Sequence, residues 1–286
     1  MCDCSFDGFI RRWPLALRTI FAASIALFVP AVLPAADEFP AIEAIHDRPA
    51  ALTSATGPVI CLLDTEHPEV VAADLAKKGA EQYKNRLFRK DLQRLAGVPC
   101  ILLHYTQATR KEIAHPQLKA LVITARAKTL SKQQDDELFA IIREVQVPTL
   151  GICGGHQLIA MAYGGKYSPM RKLKPGEADP RPQYHPGLFK EWGFMNVNVV
   201  RQDPLFAGFG ERLMIREFHA FEVTTLPAEF DVLASTAECR VEAMRHKEKP
   251  LYGTQFHPER YDAEHRDGEV LLKNFLRLAG LPKSDG

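Results

Sequence analysis

The stretch Thr149-Leu-Gly-Ile-Cys-Gly-Gly-His-Gln-Leu-Ile-Ala-Met-Ala-Tyr163 changes its period partway along. Val147, Leu150 and Ile152 form the end of an apolar strand, whereas Leu158, Ile159 and Ala162 recur at helical spacing, so Cys153 falls where strand becomes helix. Gly151, Gly154 and Gly155 crowd that turn. Residues without Cβ tolerate strained dihedrals and close backbone approach, which a sharp strand-to-helix elbow requires. A thiol on such an elbow faces the positive end of the following helix, which favours the thiolate. The Gly154 N–H is placed to donate to an oxyanion.

A thiolate of this kind works with a histidine that is distant in sequence and close in space. Tyr252-Gly-Thr-Gln-Phe-His-Pro-Glu259 supplies one. His257 ends a short strand-like run from Leu251 to Phe256, and Pro258 fixes the chain so that Glu259 can turn back and orient the imidazole. Taken singly, a cysteine in an apolar strand is an ordinary small core residue and His-Pro an ordinary turn. The pair, in this order, is the signal.

Together, Gly-Ile-Cys-Gly-Gly-His-Gln and Gln-Phe-His-Pro-Glu resemble the class I glutamine amidotransferase family, whose triad is Cys-His-Glu, with the glutaminase portion of GMP synthase the nearest likeness. Phe218 to Thr236 resembles the segment between that family's two catalytic motifs, so the resemblance covers about 59–281. It implies that Cys153 attacks the side-chain amide carbon of glutamine, His257 relays the proton to departing ammonia, Glu259 holds His257, and Gly154 N–H stabilises the oxyanion. Gln157 matches a position that helps seat the substrate, and His219 matches a recurring histidine that reads more readily as structural than as a substrate contact.

One segment departs from the family. Where a glycine-rich turn, roughly Ser-Gly-Gly-Pro, normally gives the second oxyanion donor, this chain has Thr124-Ala125-Arg126-Ala127-Lys128. Loss of such a donor costs ~100-fold or more, unless the N–H of Ala125 or Arg126 replaces it. The Arg126 side chain is a candidate for binding a substrate carboxylate. Three functions follow: a stand-alone glutamine amidotransferase-type glutaminase that serves a separate ammonia-accepting partner chain, a γ-glutamyl hydrolase or peptidase, or a binding or regulatory module that lost efficient turnover. The chain carries no Gly-x-x-x-x-Gly-Lys-[Ser/Thr] loop through which it could itself drive an ATP-dependent acceptor.

Composition bounds the rest. The 286 residues are 46% apolar and 25% charged, and 36 Lys+Arg stand against 35 Asp+Glu. That balance gives no electrostatic footprint for nucleic acid. Ten histidines are scattered and no Cys-x-x-Cys pair occurs, so no metal or other cofactor is expected. Arg11, Arg12 and Arg18 precede an apolar run from Ile20 to Leu33 and then Pro34-Ala-Ala-Asp37, the order of a secretory signal. Pro30 and Pro34 interrupt this run short of the ~20 residues a spanning helix needs. Residues 1–36 are therefore expected to be a signal peptide or N-terminal anchor that exports the chain, with no other membrane domain. Cys61, Cys100, Cys153 and Cys239 would remain, too few for a disulfide scaffold.

Residues 37–58 read as a linker or surface arm. From 59 onward, apolar runs at Val59–Leu63, Val98–Leu103, Leu118–Thr124 and Val147–Ile152 alternate with helical patterns around Leu87–Leu95 and Asp135–Val145. This predicts an α/β domain over 59–281, with a flavodoxin-like parallel sheet covered by helices on both faces and the site beyond the strand C-termini. Leu173 to Trp192 reads as a long loop over that end, either substrate-selecting or inert. Short strands, largely antiparallel, follow: Met195–Val200, Leu213–Ile215, Phe221–Thr224, Val232–Ala234 and Arg240–Met244. An amphipathic helix from Glu269 to Leu281 closes the domain.

Overall fold

Ile60, Cys61, Leu62 and Leu63 are all fully buried in one strand, and this requires cover on both faces. A computed structural model of the chain describes residues 40–128 and 131–281. In chain order the elements are α1 (Pro40–Ile45), α2 (Pro49–Thr53), β1 (Val59–Asp64), α3 (Pro68–Lys78), α4 (Lys84–Ala96), β2 (Cys100–His104), α5 (Arg110–Ile113), β3 (Leu118–Ile123), α6 (Lys132–Glu144), β4 (Thr149–Ile152) and α7 (Gly154–Ala162). There follow β5 (Lys166–Pro169), β6 (Glu191–Val199), β7 (Arg212–His219), β8 (Phe221–Thr225), β9 (Phe230–Ser235), β10 (Ala243–His246), β11 (Leu251–Thr254) and α8 (Asp267–Leu278).

Nine strands form one sheet in the order β2-β1-β3-β4-β11-β10-β9-β6-β7. The first five are parallel, and the remainder extend the sheet antiparallel. This is the flavodoxin-like α/β arrangement with antiparallel strands in the C-terminal half that the sequence predicts. Successive residues along a strand point to opposite faces, and two cores result. Ile60 and Leu62 pack on one side with Leu92 of α4 and Phe275 of α8; Cys61 and Leu63 pack on the other with Leu138 of α6 and Leu158 of α7.

Residues 37–58 do not behave as a linker where they are described. Ile42, Ile45 and Leu52 are buried, and His46 Nε2 lies 2.9 Å from Asp64 Oδ2, which also accepts a hydrogen bond from Tyr83 at 2.7 Å. Burial opposes ionisation of Asp64, but His46 and the surrounding donors outweigh it and hold the carboxyl well below its usual range. Two helices this short show no readable period. The expected N-terminal signal or anchor at 1–36 lies outside the described residues. Among those described, no helix is long and apolar enough to cross a membrane, and Cys61, Cys100, Cys153 and Cys239 are free thiols.

Candidate active site

Cys153 links β4 to α7 with φ 51° and ψ −103°, a left-handed conformation rare for a residue with a side chain. Its N–H donates to Thr254 O at 2.7 Å, tying the elbow to the end of β11. The bend is possible only because backbone passes where side chains would stand. A Cβ on Gly155 would lie 2.3 Å from the Ile123 carbonyl oxygen, and one on Gly154 would lie 2.6 Å from Arg126 N.

Because β11 runs parallel to β4, with Thr254 opposite Ile152, the residues following both strands emerge at the same sheet edge. His257 therefore arrives beside Cys153. Its Nδ1 contacts Glu259 Oε1 at 2.7 Å, and its N–H donates to Arg216 O at 2.8 Å. Nε2 is buried without a conventional hydrogen bond, and the ring interacts with the Cys153 sulfur.

Electrostatics favour an ion pair. Burial raises the Cys153 pKa, but the charge and contact of His257 outweigh it and the thiol is lowered from its ordinary value. Burial likewise disfavours the imidazolium, yet Glu259 and Cys153 push His257 up to about 10. Glu259 is held below the usual carboxylate range because His257 overcomes its burial. Cys153, His257 and Glu259, singled out in the sequence, are thus brought together.

The departing loop 124–128 is firmly held. Thr65 Oγ1 donates to Thr124 O at 2.9 Å, and Ala127 N donates to Glu66 Oε1 at 2.9 Å. The backbone of Ala125 and Arg126 lies against Gly154, and among the described residues neither N–H has an acceptor. The Arg126 side chain takes a different role from the expected one. Its guanidinium makes a bidentate pair with Asp135 at 2.5 and 2.9 Å, both side chains about nine-tenths buried, and is not free for a substrate carboxylate. Arg216 lines the same cavity as Cys153; its guanidinium lies 5.4 Å from the centroid of the Phe194 ring, and among the described residues no carboxylate is paired to it.

Gln157 lines the same cavity, its amide donating to Gln255 Oε1 at 3.0 Å, while Gln255 Nε2 lies 3.5 Å from Cys153 Sγ. Gln255 was missed in the sequence although it stands two residues before His257. From the 173–192 segment, Tyr184 and His185 close over a cavity of about 400 Å³ that Cys153 also lines. Tyr184 packs on Phe218 (5.5 Å between centroids) and His185 on Phe221 (4.8 Å), and Phe218 meets the His257 ring edge-on at 6.0 Å. A buried Lys190 paired at 2.9 Å with the half-buried Asp179 anchors the segment.

A flavodoxin-like sheet with a thiol on a strained elbow and a His-Glu pair on the neighbouring strand end defines an α/β protein arranged for nucleophilic sulfur chemistry. Residues 81–278 match the family model "Glutamine amidotransferase class-I", and the chain belongs to that family. Among curated relatives, a glutamine-hydrolyzing GMP synthase subunit from Pyrococcus abyssi is 40% identical over 137 residues, 48% of this chain and 63% of that protein. The match thus spans under two thirds of that relative's length. The corresponding Pyrococcus furiosus protein is 31% identical over 199 residues, 70% of this chain and 94% of that protein. A glutamine amidotransferase from Thermotoga maritima shares the fold at a TM-score of 0.53 and 15% identity, covering 77% of this chain and 98% of that one.

Proposed function

We propose that the chain hydrolyses the side-chain amide of glutamine through a thioester on Cys153. The observation that carries this reading is the Cys153 elbow met by the His257–Glu259 pair across the β4–β11 ladder. In the mechanism, the Cys153 thiolate attacks the amide carbon, and the resulting oxyanion receives the N–H of Gly154 and the N–H of Arg126 or Ala125. His257 gives its Nε2 proton to the departing nitrogen, and ammonia leaves. Now neutral, His257 takes a proton from water; the hydroxide attacks the γ-glutamyl thioester, and glutamate and the thiolate are released. Glu259 keeps the imidazole oriented and supports its charge at each stage. Arg216, which faces the cavity with no carboxylate of its own, receives the substrate carboxylate in the role expected of Arg126.

The names of the GMP synthase relatives, each one subunit of that enzyme, support a separate synthetase chain as the acceptor of the ammonia. A γ-glutamyl hydrolase is the second reading, favoured by the aromatic wall of Tyr167, Tyr184, Phe218 and Phe221, which offers apolar contact beyond what a glutamine side chain uses. Incubation of purified chain with glutamine and with γ-glutamyl peptides, beside Cys153→Ala, separates the readings. Equimolar glutamate and ammonia from glutamine, lost in the variant, supports the first. Faster turnover of the peptides favours the second, and no Cys153-dependent release from either contradicts both, leaving the binding-module reading. Export through residues 1–36 is a further part of the proposal; a fusion of that segment to a reporter should be secreted, and retention would contradict it.

A further inference from the structure

Behind the aromatic wall lies a cluster that the proposed reaction does not use. Glu191 on β6 stands opposite His219 in the β6–β7 ladder, Glu217 shares a face with His219 two residues earlier on β7, and Glu242 reaches in just before β10. All four side chains are 2% exposed or less. His219 Nε2 is 3.2 Å from Glu191, 3.2 Å from Glu217 and 3.5 Å from Glu242, and one ligand atom from each of the four lies within 4.8 Å of the others.

Two observations show that this polar network is incompletely satisfied. Neither carboxylate oxygen of Glu217 or of Glu242 has a hydrogen bond of conventional geometry, although the Cys239 thiol interacts with Glu242 and Thr236 with Glu191, and Glu191 Oε2 is likewise unpartnered although buried. Among the described residues, no lysine or arginine pairs with any of the three carboxylates. Burying three acidic groups against one imidazole leaves charge that the interior does not tolerate without a cation or added protons. Further, His219 Nδ1 lies 3.0 Å from Phe221 O, a carbonyl that can only accept, so Nδ1 carries the proton. In the neutral ring this turns the Nε2 lone pair toward the carboxylates, as in a metal-binding histidine oriented by a backbone carbonyl.

The geometry points to a buried divalent first-row transition-metal site formed by Glu191, Glu217, His219 and Glu242. Zn–N and Zn–O bonds of about 2.0–2.2 Å in a tetrahedron imply ligand separations of about 3.3–3.5 Å, which the His219 contacts approach. The set has one imidazole and three carboxylates, which suits zinc and also manganese. The ion would staple β6, β7 and β10 behind the pocket: His219 lines the cavity, and the Glu242 carbonyl accepts from the N–H of Gln255, the residue touching Cys153.

The test uses the full chain purified without a metal-affinity tag, in a Cys153→Ala background so that the reactive thiol cannot capture metal. Elemental analysis should find about one zinc or manganese ion per chain. Exhaustive chelation should lower Tm, and addition of Zn²⁺ or Mn²⁺, unlike Mg²⁺, should restore it. Glu217→Gln and Glu242→Gln should each lose the ion. Anomalous scattering at the metal edge tests the same point without those variants, should they fail to fold, and a peak among the four side chains is expected. Metal content near zero with a Tm indifferent to chelator and to added metal, or an anomalous peak elsewhere, would overturn the assignment and leave a proton-sharing carboxyl cluster.

Discussion

At Cys153 the backbone accepts an unfavourable φ so that a sulfur atom, a helix N-terminus and an imidazole converge. With the thiol lowered and His257 raised to about 10, the thiolate–imidazolium form occupies the interval between the two. Its acid limit lies below the ordinary thiol pKa, and its alkaline limit near pH 10, where His257 loses the proton that ammonia needs. A pH profile of kcat/KM should therefore show an alkaline limb far above the ordinary histidine value. Glu259→Gln removes the support for the imidazolium, so that limb should move toward neutrality while kcat falls ~10²–10⁴-fold. An unchanged limb would mean that Glu259 does not support the imidazolium. Arg216→Ala should raise KM for glutamine ~10-fold or more with a smaller effect on kcat, the cost of one charged hydrogen bond; Arg126→Ala should act chiefly on stability, through Asp135.

At the scale of elements, the elbow depends on α7 pressing against the end of β3. A Cβ on Gly155 would lie inside van der Waals contact with the Ile123 carbonyl, so Gly155→Ala should destabilise the chain by about 1–3 kcal/mol or more in urea unfolding, since two backbones must separate to admit it. The parallel strands were legible in the sequence because burial on both faces demands continuous apolar runs, as in Val59–Leu63. α3 was not, since only Pro68 and Val71 are buried on it and its remaining surface carries no stripe. β5 was missed as well: four residues, largely exposed, give no alternation and pair only with β8. α1 and α2 were folded into an expected linker. Ile42→Ala and Leu52→Ala should each cost about 2–5 kcal/mol, whereas an arm detached from the core would give little change.

Across the whole molecule, the candidate site lies where the parallel half of the sheet meets the antiparallel half, with β11 belonging to both. The convergence of Cys153, His257 and Glu259 was readable in advance because each sits in a contiguous motif whose local geometry is set by its neighbours. Arg216 and the Glu191–Glu217–His219–Glu242 group were not, because register between separate strands brings them together; Gln255 lay inside the quoted motif, but nothing in its spacing marks the reach of its amide toward Cys153. Loop 124–128 was readable only as a departure; its tethers to Thr65 and Glu66 come from another strand end. The central claim, that Cys153 is the nucleophile for a γ-glutamyl group, is tested most directly by intact-mass and peptide analysis after treatment with a glutamine-analogue electrophile. A single adduct on Cys153, slowed by excess glutamine and by His257→Ala, is expected; no adduct, or one on Cys61, Cys100 or Cys239 instead, would contradict that role for Cys153.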